Sequence, residues 1–113
     1  FLFQKKKIER LFGMVATVIK IGNLQFQRVA ANGQSSFLVR DEVAVAVASG
    51  VGMTLDELEA CLCTQVTRSK NKGVDPTTAC ERRDALASAI YERVVMWLLK
   101  KINAVFESEA LDN

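Results

Sequence analysis

From about Lys5 to Ile21 the apolar residues Ile8, Leu11, Phe12, Val15, Val18 and Ile19 recur three and four apart, which places them on one face of a helix. Met14 and Ile21 widen that face, and a helix apolar over so much of its circumference is normally surrounded by other elements. Gly22-Asn23 predicts its end, because both residues accept the left-handed backbone common at helix C-termini. Leu24, Phe26 and Val29 then begin an extended segment. Asn32-Gly33, within Ala31–Gln34, is the strongest short hairpin signal and precedes Phe37-Leu38-Val39. An isolated hairpin is marginal in water, so this one is expected to lean on another element.

Asp41 suits the N-cap of a short helix reaching roughly Ser49, with Gly50-Val51-Gly52 as the break. Val43, Val45 and Val47 also fit an alternating strand; Ala44, Ala46 and Ala48 between them favour the helix. Thr54 and Glu57 have the capping-box spacing, and Leu55, Leu58 and Leu62 form one face of a helix predicted from about Leu55 to Thr64. The stretch Thr67–Gly73 is polar, basic and aperiodic, and reads as an exposed loop suited to surface contact. Asp75-Pro76 opens the last element, with Thr78 and Glu81 offering a second capping box. From there Leu86, Ile90, Val94, Trp97, Leu98, Ile102, Val105 and Phe106 continue a helical stripe. That helix is predicted to run about 30 residues, roughly 45 Å at its usual rise, longer than a free-standing domain of this size usually holds. The fold class is therefore mainly α, with several helices, one long C-terminal helix and one β-hairpin. No internal repeat or low-complexity linker divides residues 1–113, so they form one domain or one piece of a domain.

Composition narrows the partners. Hydrophobic residues make up 50% and charged ones 25% of the chain, the balance of an ordered protein rather than a disordered tail. A net charge of +2 is too mild to predict nucleic acid as a partner. Lys20 and Arg40 interrupt the most apolar windows, so no membrane span is expected. Phe1-Leu2-Phe3-Gln4-Lys5-Lys6-Lys7 sets apolar residues before charges, the reverse of a secretory signal, and the chain is expected to begin within a longer sequence. Cys61, Cys63 and Cys80 are odd in number and suit a reduced cytosol as small packing residues. With no histidine in the chain, a zinc site is not expected.

The same absence removes the commonest general base, and neither a Walker pattern nor a dinucleotide fingerprint is present. Acidic pairs such as Asp56-Glu57 sit at a helix end, where they complement the dipole. Tyr91 and Trp97 fall on or beside the apolar stripe and are predicted to be buried. Lys5, Lys6, Lys7 and Arg10 read as the solvated start of a helix. Arg68, Lys70 and Lys72 differ, because a positive finger projecting from a scaffold can meet an acidic partner.

The run Arg83–Asn103, RDALASAIYERVVMWLLKKIN, closely resembles the helix that myosin heads write as RDALAKAIYxRLFxWLVxxIN. Ile21–Phe26 is similar to the myosin HLGNxxF junction, and Gly50–Leu58 resembles its LLGV…xxEL segment, in the same order along the chain. Lys20-Ile21 stand where the family has His-Leu, Ser88 replaces a frequent Lys, Val94-Val95 replace Leu-Phe, and the loop between Cys63 and Cys80 is short. These departures point to a divergent class.

The resemblance implies part of the upper 50 kDa subdomain, a piece of the larger α/β motor fold. The Thr67–Gly73 loop would then correspond to the cardiomyopathy loop, with Arg68, Lys70 and Lys72 as candidate contacts to the acidic surface of the actin filament. The resemblance also puts the P-loop and switch I upstream and switch II downstream. ATP and Mg would be bound by the remainder of the motor domain, with no catalytic, cofactor or metal residue in this segment, and the long helix would transmit position. The parent would be an actin-activated ATPase of the cytoplasmic cytoskeleton. The alternative, from another class, is an independent helical adaptor whose apolar stripes bind partner helices; exposed stripes favour the motor segment and a compact monomer the adaptor.

Overall fold

The computed structural model describes residues 2–31 and 33–112, with side chains from 5 to 109 apart from residue 32. Among the described residues the chain runs α1 (Leu2–Ile21), β1 (Phe26–Arg28), β2 (Ser36–Leu38), α2 (Glu42–Val51), α3 (Leu55–Cys63), β3 (Thr64–Val66), β4 (Asn71–Gly73) and α4 (Pro76–Asp112). The mainly helical class and the long last helix are as the periodicity predicts.

α1 ends where expected, yet without a left-handed residue: Asn23 and Leu24 donate their amides to the Lys20 and Ile21 carbonyls at 2.9 and 3.1 Å. The turn continues tightly and delivers Ile21 and Leu24, both fully buried, to the core. β1 and β2 pair antiparallel, Phe26 opposite Leu38 and Arg28 opposite Ser36. The connection is thus longer than a two-residue Asn-Gly turn would give, and Asn32 lies outside the described residues. Arg28 braces it by donating to the Gly33 carbonyl at 3.0 Å.

α2 is a helix, its N-cap carboxylate Asp41 accepting the Ala44 amide. It runs through Gly50 and Val51 and stops at Gly52, whose φ of 73° needs a residue without a Cβ. In α3 the reciprocal Thr54–Glu57 capping box is formed. α4 corrects the second predicted box: Asp75, three residues ahead of Thr78, accepts the Thr78 amide at 2.7 Å, with Pro76 in the first turn.

The core gathers where these ends meet. Ile21, Leu24, Leu38, Val47, Leu58 and Leu62 are its largest fully buried side chains, and Ala79 joins them from α4. Each large one stabilises the fold by about 1.5–3 kcal/mol relative to exposure. α1 packs on α2 and α4, and α3 packs on α4 and β2. Leu86, Ala87 and Ile90 carry the core along α4, and Val94 is the last buried residue described on it.

Beyond Val94 no described residue of the helix is buried. At about 1.5 Å per residue α4 is roughly 56 Å long, close to the 68 Å longest dimension of the chain. The radius of gyration is 18.4 Å, against about 13 Å for a compact domain of this length. Accessible surface is 8402 Å², about 2,200 Å² more than the roughly 6,200 Å² its mass predicts for a folded monomer.

Candidate functional site

α3 passes into β3 without a loop, because Thr64, its C-terminal cap, is already extended at φ −131° and ψ 132°. β4 returns antiparallel, pairing Thr64 with Gly73, Gln65 with Lys72 and Val66 with Asn71. The loop expected over Thr67–Gly73 is therefore the turn of a hairpin over Thr67–Lys70, with its last three residues, Asn71–Gly73, taken into β4. Its strands are short and polar, so neither a period of two nor an apolar face marked them.

The remaining turn, Thr67–Lys70, is closed by Thr67. Its amide donates to the Lys70 carbonyl at 3.2 Å, and its hydroxyl oxygen accepts the Lys70 amide at 3.2 Å. The same hydroxyl donates to the Lys70 carbonyl. Side chains of this kind fold back on local backbone and fix a turn without burial.

The three candidate residues share this unit. Arg68 and Lys70 lie in the turn, Lys72 lies on β4 opposite Gln65, and all three are exposed. Cross-strand partners project to the same face, so Lys72 shares its face with Gln65, and Val66 shares the other with Asn71. Val66 is 77% exposed beside the cationic tip. No carboxylate occurs between Glu59 and Asp75, so the whole projection is positive.

The hairpin stands on a fixed base. Val74 donates its amide to the Cys63 carbonyl at 3.0 Å, closing the ladder next to the body. The buried Ser36 hydroxyl of β2 donates to the Val74 carbonyl at 2.7 Å. Arg82 of α4 donates through Nε and Nη2 to the Cys61 carbonyl at 3.1 and 2.8 Å, tying the end of α3 to the long helix. Gly73 lies so close to Ser35 that a Cβ there would come within 2.8 Å of the Ser35 Cβ. These clamps come from residues that no motif in the sequence singles out, and only the fold reveals them.

Two titratable groups flank the base. Burial pushes the Cys63 thiol up, against a hydrogen bond with Ser36 that acts the other way, so it remains a protonated packing group. Hydrogen bonds from the Thr78 backbone and then its side chain hold the Asp75 carboxyl below its ordinary range. On the far side of α3, Glu59 accepts the Leu38 amide at 3.0 Å, and Arg40 bridges Asp56 and Glu59 at 2.6 and 3.5 Å. Cys61 is exposed and Cys80 half-buried, so of the three cysteines Cys63 alone is fully a packing residue.

A second surface runs along α1 and α4. Lys7, Arg10, Leu11, Met14, Val94 and Trp97 line a groove between the helices, which Leu98, Lys101 and Val105 extend. Tyr91 and Trp97 are 55% and 38% exposed, contrary to the burial expected of them. Lys7 likewise departs from a solvated helix start: it is half-buried and faces Lys101. Among the described residues no helix is long and apolar enough to cross a membrane, and no group of acids and thiols is placed to hold a metal ion.

The sequence profile of the myosin head (motor domain) matches residues 1–113. Unconventional myosin IC of Drosophila melanogaster is 29% identical over 111 residues, which cover 95% of this chain and 10% of that protein. Unconventional myosin-Ia of Bos taurus is 33% identical over 107 residues, covering 89% and 10%. Myosin-9 of Arabidopsis thaliana is 28% identical over 117 residues, covering 94% and 7%. The chain thus spans a tenth or less of the length of these relatives.

Proposed function

Because the chain belongs to the myosin head (motor domain) family, we propose that it is the part of an ATP-driven motor that presents the β3–β4 hairpin to the actin filament. The observation that carries this reading is the hairpin tip: Arg68, Lys70 and Lys72 are exposed, no acid lies among them, and the base is clamped by Ser36 and Arg82. A fixed positive projection speeds and orients docking on an acidic surface, whereas a floppy one would lose that gain to ordering.

α4 is then the transmission element. Its second turn reaches the hairpin base where Arg82 donates to the Cys61 carbonyl, and its body lies against α1 and α3. A continuous helix moves its far end when its near end tilts, so a displacement at the tip reaches the groove region without any intervening hinge. ATP and Mg belong, in this reading, to the remainder of the motor, and the assembly works on the actin cytoskeleton. The exposed stripe on α4 and the excess surface support a motor segment over an independent adaptor.

In the whole motor, replacing Arg68, Lys70 and Lys72 together by Ala should weaken actin association by roughly 3- to 150-fold, since exposed pairs contribute about 0.2–1 kcal/mol each. Cosedimentation with unchanged affinity at low salt would remove the basis for this function.

A further inference from the structure

We propose that Arg83 is a positioning residue for the basic hairpin, acting through β1, β2 and the Ser36 hydroxyl. Among the described residues its own bonds reach only Leu24 and Asp84, and neither β3 nor β4. Its bearing on actin docking rests on the hairpin being the contact surface; the positioning itself does not.

Two adjacent arginines of α4 diverge here, because successive residues of a helix point about 100° apart. Arg82 reaches the Cys61 carbonyl, three residues ahead of β3. Arg83 donates through Nη1 to the Leu24 carbonyl at 2.9 Å, two residues ahead of β1. Each arginine thus holds the backbone that leads into one of the two hairpins. The Arg83 side chain is 19% exposed, and its Nε meets the Asp84 carboxylate at 3.0 Å, which sets the plane of the guanidinium. Leu24 is fully buried and closes the last turn of α1, where a cation is favoured.

From Leu24 the restraint passes along hydrogen bonds. The Gln25 carbonyl accepts the Val39 amide at 2.9 Å, and Phe26 and Arg28 pair with Leu38 and Ser36. Ser36 donates its hydroxyl to the Val74 carbonyl at 2.7 Å, and the Val74 amide donates to the Cys63 carbonyl at 3.0 Å. A shift of Leu24 therefore carries Ser36 with it, and a hydroxyl bond weakens steeply once its distance and angle are lost. Arg82 acts on α3 directly, so the basic hairpin has one direct support and one relayed support.

The test is native-state hydrogen exchange of the intact motor without actin, with Arg83→Gln placed in three backgrounds. In otherwise wild-type protein the Val29 and Val39 amides, which bond within the first hairpin, should exchange about ten-fold faster. The Gln65 to Val74 amides should exchange roughly three-fold faster or more, with α2 unchanged. In a Ser36→Ala background Arg83→Gln should add less than about two-fold at the basic hairpin, because the relay is already cut; in an Arg82→Gln background it should add its full factor. Arg83→Lys, which keeps a donor for the Leu24 carbonyl, should recover most of the protection, and Asp84→Asn should leave most of it in place. Unchanged hairpin rates in Arg83→Gln, a full added effect on top of Ser36→Ala, no rescue by lysine, or an equal loss in Asp84→Asn would overturn the proposal. Equal acceleration in α2 would overturn it too, since Arg83 would then serve the core at large. Exchange without actin decides the positioning and actin affinity decides the contact surface, so either can fail alone.

Discussion

Ser36→Ala isolates what holds the basic hairpin to the body. The Ser36 hydroxyl is buried and donates to the Val74 carbonyl at 2.7 Å, immediately after β4. Removing it leaves that carbonyl without this donor. The cost of such a loss is about 1–3 kcal/mol. The global core is not touched, because Leu38, Leu58 and Leu62 keep their contacts, so the penalty should fall on local opening of β3–β4. Converted at RT, it predicts exchange of the Gln65 to Val74 amides about 5- to 150-fold faster, measured by native-state hydrogen exchange of the motor. Amides in α2 should be unaffected. If the hairpin amides keep their rates, Ser36 does not secure the base and the fixed-projection argument loses its footing.

Gly73→Ala should also loosen the hairpin, because the new Cβ would meet Ser35 at 2.8 Å from its Cβ and 3.3 Å from its Cα; a lower denaturation midpoint checks it. Gly52→Ala places a Cβ at φ 73° and should cost about 1–2 kcal/mol in unfolding free energy. The depressed Asp75 carboxyl stabilises the start of α4 above its ordinary value of 3.8, a contribution lost as pH falls through its lower folded value. Asp75→Asn should therefore flatten the acid limb of a stability-against-pH curve. With an alkylating reagent at neutral pH, exposed Cys61 should react well before Cys63, whose thiol is buried and pushed up; equal rates would contradict that burial.

Much of this architecture is legible where local chemistry and periodicity agree. Asp41, the Thr54–Glu57 box and the leucines of α3 specify their helices within a residue or two. The long helix follows from its stripe, although the cap is Asp75 rather than Thr78, because the aspartate already accepts the Thr78 amide. Short polar strands defeat the same method. Thr64–Val66 and Asn71–Gly73 carry no alternation, and the bond that anchors their base comes from Ser36, 38 residues from its partner Val74. Tyr91 and Trp97 are exposed despite their stripe for a different reason: an apolar stripe shows which face wants cover, but what covers it need not lie in the same 113 residues. The cationic residues of the hairpin were visible by charge, while the clamps that aim them were not.

The salt dependence of actin affinity bears most directly on the hairpin as a contact surface. Wild-type motor and the Arg68→Ala/Lys70→Ala/Lys72→Ala variant would be titrated with actin filaments from about 25 to 200 mM salt, where screening shortens from roughly 20 to 7 Å. The wild type should bind more tightly at low salt and lose affinity more steeply, so that the two curves converge as salt rises. Parallel curves of equal affinity would show that the hairpin's charges do not meet actin.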